Sequence, residues 1–361
     1  MDKKLRVGII GATGMVGQRF VSLLADHPWF EITALAASAR SAGRSYEEAM
    51  EGRWLISEPM PEKVKKMPVI DAADYDNVAE KVDFVFCAVN MSKEETRALE
   101  DAYVLRETPV VSNNSAHRMT PDVPMILPEV NAHHLPLIEV QRKRYGVKRG
   151  FITVKPNCSI QSYVPALTPL KEFGLDKVMV STYQAISGAG KTFETFPEII
   201  DNIIPFISGE EEKSEKEPLR IWGELTPETV IYAQRPVISA QCLRVPVSDG
   251  HTASVFVKFD RKPTKEQILE AWAKFEGDPQ KLNLPSAPKQ MLKYFEEDNR
   301  PQAKLDRMYE NGMGITIGRL REDEIFDYKF VGLSHNTLRG AAGGAVLTAE
   351  LLVAKGYIEA K

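Results

Sequence analysis

One thiol, one imidazole and one guanidinium stand in this chain where they could share nucleophilic chemistry. The thiol is Cys158, in the turn Pro156-Asn157-Cys158-Ser159 between a strand-like run and a helix-like run. A cysteine at a helix N-terminus gains thiolate character from the dipole and the free N–H groups, so this position predicts a nucleophile. Cys87 and Cys242 sit inside apolar strand-like runs, where a reduced thiol is a small hydrophobe. A thiolate nucleophile needs a proton acceptor. His251 stands alone in the turn Val247-Ser248-Asp249-Gly250-His251 between two strands, and Arg244 lies just before that turn. A strand–turn–strand holding both offers one substrate a carboxylate clamp and a base. On spacing alone a plain surface hairpin is the stronger reading. His133 and His134 fall in a polar helix expected at the surface. His27 precedes a proline at a helix end, and His117 and His335 lie in loops near candidate cofactor segments.

A second group is Gly11-x-x-Gly14-x-x-Gly17, directly after an apolar β-branched run and opening a helix-like one. Glycines there let the backbone turn tightly and approach a pyrophosphate, while the helix N-terminus offers N–H groups to the anion. The spacing differs from G-x-G-x-x-G, so the context carries the prediction rather than the pattern. After the second strand, an NAD site usually carries an acidic residue for the ribose hydroxyls. This chain has Ser38-Ala39-Arg40-Ser41, which suits a 2′-phosphate and predicts NADP.

These groups need elements to hold them. Strand-like runs cover 5–10, 31–37, 82–89 and 109–112, with helices over 15–25 and 93–105. Runs buried on both faces, alternating with helices, predict a parallel, doubly wound α/β sheet. After about residue 150 the pattern changes. A strand at 151–155 leads into the Cys158 turn, and 159–173 has helical apolar spacing. Period-2 runs at 177–184, 238–245, 252–259, 315–320 and 328–333 predict a mostly antiparallel sheet with helices on one face. The charged stretch 210–217 reads as an exposed loop or helix end. An apolar helix over 338–355 is expected to dock back on the first domain.

Several classes are excluded. A chain of 361 residues suggests two domains. The net charge of −4 argues against a nucleic-acid partner. No apolar run approaches the ~18 residues of a membrane span. The N-terminus lacks the apolar core of a signal peptide, and an odd cysteine count without a C-x-x-C pair argues against disulfides and zinc. The expectation is a cytoplasmic protein with no metal, no nucleic acid and no membrane partner.

Taken together, the motifs resemble one family, the aspartate-β-semialdehyde dehydrogenases, and more closely its archaeal and fungal branch. The carriers are GATGMVG at Gly11, ASARSAG near Ser38, SNNSAHRM at Ser112, PNCS around Cys158, SGAGK at Ser187, GEEEK at Gly209, RVPVSDGH at Arg244, NRPQ at Asn299 and HNTLRGAAGGA at His335. The resemblance spans essentially the whole chain. It implies a Rossmann-type NADP-binding domain over 1–157 plus 335–361 and an α+β catalytic and dimerisation domain over 158–334. It implies Cys158 as nucleophile and His251 as acid/base; on the chemistry of the residues alone, the Asn157 amide and the N–H groups around Cys158 are expected beside the oxyanion. Arg244 is implied as the clamp for the substrate α-carboxylate, Gln184 as the residue orienting the acyl intermediate, and Glu210 as the contact to the amino group. Arg118 and Lys213 match phosphate positions. Gly11, Thr13, Gly14, Met15, Val16, Ser38, Arg40, Ser41, Ser187, Gly188 and Asn336 match the cofactor cradle. The implied reaction is the NADPH-dependent reduction of L-4-aspartyl phosphate to the semialdehyde, toward lysine, methionine, threonine and isoleucine, in a homodimer or homotetramer. An acyl-CoA reductase such as malonyl-CoA reductase shares the Cys/His chemistry but needs no anchor for an α-amino acid. A non-catalytic NADP-binding protein is the remaining alternative, and retention of Cys158, His251 and Arg244 together argues against it.

Overall fold

The computed structural model describes residues 3–361. Met1 and Asp2, part of the N-terminal stretch read for a leader, lie outside the described residues. The first sheet has six strands: β1 Leu5–Ile10, β2 Phe30–Ala37, β3 Val69–Asp71, β4 Phe84–Cys87, β5 Val110–Ser112 and β6 Ile152–Val154. Their order is β3-β2-β1-β4-β5-β6 and every pair is parallel. All residues of β4 are buried, because helices cover both faces. Helix Met15–Leu24 lies on one face, where Phe20 stacks on Phe86 at 4.5 Å. Helix Lys93–Val104 starts from a capping box of Ser92 and Glu95. The strand order reverses between β1 and β4, which opens a crevice at their C-terminal ends.

The second sheet is formed by β7 Leu175–Gln184, β10 Val237–Arg244, β11 His251–Phe259, β12 Leu292–Phe295, β13 Ile315–Glu322 and β14 Tyr328–Ser334. A two-strand ribbon, β8 Glu224–Leu225 and β9 Val230–Ile231, lies outside it. The order is β10-β7-β11-β14-β13-β12. Its central pairs are antiparallel, as the period-2 runs predict, but both outer pairs, β10/β7 and β12/β13, are parallel. The sheet is therefore mixed.

Four local readings change. The segment 159–173 is not one helix but two 3₁₀ turns, Ser159–Ser162 and Thr168–Phe173, flanking a short helix Val164–Leu167. Pro165 and Pro169 lack the N–H groups that would continue it. The charged stretch 210–217 is a helix end, as one of its two readings had it, but only one face of it is exposed. It opens helix Glu210–Ile221, whose Glu210, Ser214, Glu217 and Ile221 are buried at helical spacing. His134 is a core residue at 1% exposure, with Nε2 3.1 Å from Gly223 O. Burial brings its pKa down to about 4. Finally, the C-terminal segment begins as a wide turn, Leu338–Ala342, before helix Gly343–Ala354. That helix is buried nearly all round, with Leu347 and Leu351 in one cluster with Val7, Phe20 and Phe86. His27 Nε2 lies 2.8 Å from Glu350 Oε1 and ties it to the first βα unit. No helix among the described residues is long and apolar enough to cross a membrane.

Candidate active site

The glycine turn behaves as a backbone cradle. Gly11 has φ +90, and a Cβ on it would come 2.4 Å from Ala88 O. A Cβ on Gly17 would come 2.2 Å from Gly11 O. A side chain at either position would break the βα turn. Beside it lies a cavity of ≈ 700 Å³, walled by Thr13, Gly14, Met15 and Val16 on one side and Ser187 and Gly188 on the other. A second cavity of ≈ 670 Å³ shares Thr13 and Gly14 and extends past Gly11 to Ser38 and Arg40. The two form one groove across the strand switch point. Ser41 is buried and does not line it. Arg53 lines both cavities, a candidate that the sequence pattern did not single out. Asn336 is 2% exposed; it donates to Ser187 Oγ and accepts the Gly250 N–H, each at 2.8 Å. It therefore ties the Ser187 turn to the His251 turn.

Where this groove meets the second sheet, Cys158 is half-buried, with Sγ 3.4 Å from His251 Nε2. His251 is fully buried at the start of β11, and its Nδ1 accepts the Ala185 N–H at 3.0 Å. In the neutral ring the proton then sits on Nε2, facing Sγ. Burial, with Arg244 and His335 adding to it, holds the His251 pKa down at about 3. The thiol differs from its sequence expectation. The element after Cys158 is a single 3₁₀ turn of four residues, and burial, reinforced by Glu210, pushes the thiol up to about 11. Lys155, Arg118 and Arg244 pull it the other way.

Arg244 ends β10, in register with Gln184 at the end of β7. Its Nη1 donates to Ala185 O at 2.8 Å. A Cβ on Gly188 would come 2.9 Å from Arg244 Nη1 and 3.2 Å from His251 Nε2, so Gly188 leaves room at the centre of the site. Glu210 is the hub of the opposite wall. It accepts from Asn157 Nδ2 at 3.0 Å, Lys213 Nζ at 2.8 Å and Gln184 Nε2 at 3.2 Å. Burial alone would raise its carboxyl, but Lys213, Asn157 and Gln184 outweigh that and hold it below the usual range.

The structure thus gathers Cys158, His251, Arg244, Gln184, Glu210, Lys213 and Asn157 into one site. Two of the sequence candidates are committed elsewhere. The Asn157 amide is spent on Glu210, and its Oδ1 accepts the Ser159 N–H at 2.7 Å. Arg118 is 8% exposed and donates to Lys155 O, Asn113 O and Glu217, so its fork faces protein rather than an anion. Glu217 was missed in the sequence. It accepts from Arg118 at 3.0 Å and from the Asn157 N–H at 2.6 Å, bracing the residue before the thiol. Its signal was present as a carboxylate at helical spacing from Glu210. Among the described residues no cluster of His, Cys, Asp or Glu is placed to hold a metal ion.

The family described as semialdehyde dehydrogenase, NAD binding domain, matches residues 6–138. The family described as semialdehyde dehydrogenase, dimerisation domain, matches residues 167–339. An aspartate-semialdehyde dehydrogenase of Methanothermobacter thermautotrophicus is 46% identical, over 96% of this chain and 99% of that protein. One of Schizosaccharomyces pombe is 44% identical, over 98% and 99%. The crystal structure of the Candida albicans enzyme with NADP superposes with a TM-score of 0.88 at 37% identity, covering 99% of this chain and all of the other.

Proposed function

This chain belongs to the aspartate-semialdehyde dehydrogenase family, and from that premise we propose that it reduces L-4-aspartyl phosphate to L-aspartate 4-semialdehyde with NADPH, releasing phosphate. The observation that carries the reading is the Cys158–His251 contact of 3.4 Å at the end of the glycine-cradled groove, with Arg244 beside it.

Gly11, Thr13, Gly14, Met15 and Val16 hold the pyrophosphate, Ser38 and Arg40 the 2′-phosphate, and Ser187 and Gly188 the far end of the cofactor, with Asn336 fixing their turn. NADPH, when bound there, supplies the hydride. The Cys158 thiolate attacks the acyl carbon, the carbon–oxygen bond to phosphate breaks, and phosphate leaves with the electron pair. The product is a Cys158 thioester. After reduction of that carbon, its oxyanion accepts a hydrogen bond from His251 Nε2–H, and the ring keeps its proton. Collapse returns the electron pair to sulfur, expels the Cys158 thiolate and leaves the aldehyde. A neutral imidazole suffices as donor in this direction, since the cycle begins and ends with thiolate. Arg244 takes the α-carboxylate, Glu210 the amino group and Lys213 the phosphate, while Gln184 orients the acyl group. Arg118 and Asn157 act by bracing the thiol turn.

The assay is phosphate-dependent reduction of NADP⁺ with aspartate semialdehyde, run beside malonyl-CoA with NADPH. Turnover only in the first supports the reading. Turnover only with malonyl-CoA overturns it in favour of an acyl-CoA reductase, and NADPH binding without turnover in either overturns it in favour of a binding protein.

The dimerisation-domain match indicates a homo-oligomer. We propose a homodimer, alone or doubled into a tetramer, formed across the outward face of the second sheet, where Met179, Tyr183 and Val237 are exposed. The same reading places the chain in the cytoplasm, where Cys158 stays reduced.

A further inference from the structure

Lys155 lies three residues before Cys158 and takes no part in the chemistry just derived. It is 3% exposed. Its Nζ donates to Pro156 O at 3.1 Å, and no carboxylate pairs with it among the described residues. A lysine buried without a carboxylate is costly and needs compensation from another group.

A Cβ on Gly344 would come 2.8 Å from Lys155 Cε, and a Cβ on Gly340 would come 2.8 Å from Cys158 Cβ. Cys158 and Lys155 thus each pack against a glycine of the same short segment, Gly340 and Gly344. The surrounding charges are already matched. Arg118 pairs with Glu217 at 3.0 Å, Arg339 with Glu129 at 2.5 Å, and Glu210 with Lys213 at 2.8 Å. Arg244 and Lys155 remain as cations without a carboxylate, and Arg244 is the one assigned to substrate. His251 does not fill the role, because its Nδ1 accepts the Ala185 amide and its neutral ring meets sulfur as a donor.

We propose that Lys155 is a positioning residue for the nucleophile: its buried ammonium, held like Cys158 against the Gly340–Gly344 segment, stabilises the thiolate and so sets how much of Cys158 is reactive at neutral pH. The electrostatics agree in direction. Burial brings Lys155 down to about 7, and the Cys158 charge draws it back up. Burial and Glu210 raise the thiol, and among the opposing groups Lys155 pulls hardest. Each charge thus favours the other. The proposal rests on Cys158 being the nucleophile.

The test is the rate of Cys158 alkylation by iodoacetamide, from roughly pH 6 to pH 10, mapped by peptide mass in the full chain. Wild type is compared with Lys155→Met and Lys155→Arg, with NADPH binding as the check of folding. Lys155→Met should slow the reaction about tenfold or more at each pH of the scan that lies below the midpoint, as a thiol midpoint raised by about one pH unit requires. Lys155→Arg, which keeps the charge, should stay close to wild type. Superposable wild-type and Lys155→Met profiles overturn the proposal. So does a Lys155→Arg profile displaced as far as that of Lys155→Met, because packing and not charge would then be responsible. Lys155→Gln replaces Lys155→Met if the latter fails to bind NADPH. Survival of turnover in fully alkylated wild type would instead overturn the nucleophile reading, whatever Lys155 does.

Discussion

Gln184 and Arg244 face each other in register at the ends of the adjacent parallel strands β7 and β10. Because the strands end together, both side chains leave the sheet at the edge where Cys158 and His251 meet. Arg244 spends one nitrogen on Ala185 O, at 2.8 Å. That bond fixes the plane of its fork for a substrate carboxylate. Lysine offers a point charge without the fork. Arg244→Lys should lower kcat/KM for aspartate semialdehyde roughly 10- to 100-fold, mostly through KM. Steady-state kinetics check this, and an unchanged kcat/KM would count against the clamp.

Cys158 does not line the cavity beside the glycine cradle. Cys158→Ala should therefore lower turnover by at least roughly 10⁴-fold while NADPH binding persists. Fluorescence titration of NADPH beside the activity assay separates the two. Residual turnover near wild type would remove the nucleophile.

Arg40 is exposed at the rim of the groove and Ser41 is not in it. Arg40→Ala should weaken NADPH binding about 10- to 100-fold and leave NADH binding nearly unchanged. Equal losses for the two cofactors would show that Arg40 does not contact the 2′-phosphate. Ser41→Ala should have little effect on either dissociation constant.

His251, His134 and His335 are buried, and burial holds their pKa values at about 3, 4 and 4 against 6.5 for a free histidine. Between those values and 6.5 the unfolded chain binds more protons than the folded one. The stability they confer is complete above pH 6.5 and drains away as pH falls. Urea unfolding at pH 5.5 should show a loss of about 1 kcal/mol per histidine relative to pH 7.5. Equal stability at the two pH values would mean that these rings are protonated in the fold.

Much of this site was legible in the chain because its chemistry is local. The glycine turn and the Pro-Asn-Cys-Ser turn are each contained within a few residues, and each is bounded by strands whose hydrophobic period is plain. Arg244 and His251 read on spacing alone as a plain hairpin; in the fold β7 lies between their strands, and only that arrangement brings both to Cys158. The parallel sheet was legible for the same reason, since β4 and its neighbours are apolar on both faces. The stretch 210–217 was misread because eight mostly charged residues look solvated. One face of it is buried because Glu210 and Glu217 find Asn157, Lys213, Gln184 and Arg118 there, and none but Lys213 is near them in sequence. His134 was misread likewise, being an imidazole whose acceptor, Gly223 O, lies far along the chain.

Residue type and local spacing alone determined that this chain carries a thiol just after a strand end, a glycine turn opening a helix and an arginine-bearing loop after the second strand. What charge each of these groups carries was decided by the fold. Burial raises Cys158 rather than activating it, the Ala185 amide puts the His251 proton on Nε2, and Arg118 turns its fork toward Glu217 instead of a ligand. Protonation and partner depend on desolvation and on contacts between residues far apart in the chain, and these exist only once the two sheets have closed on each other.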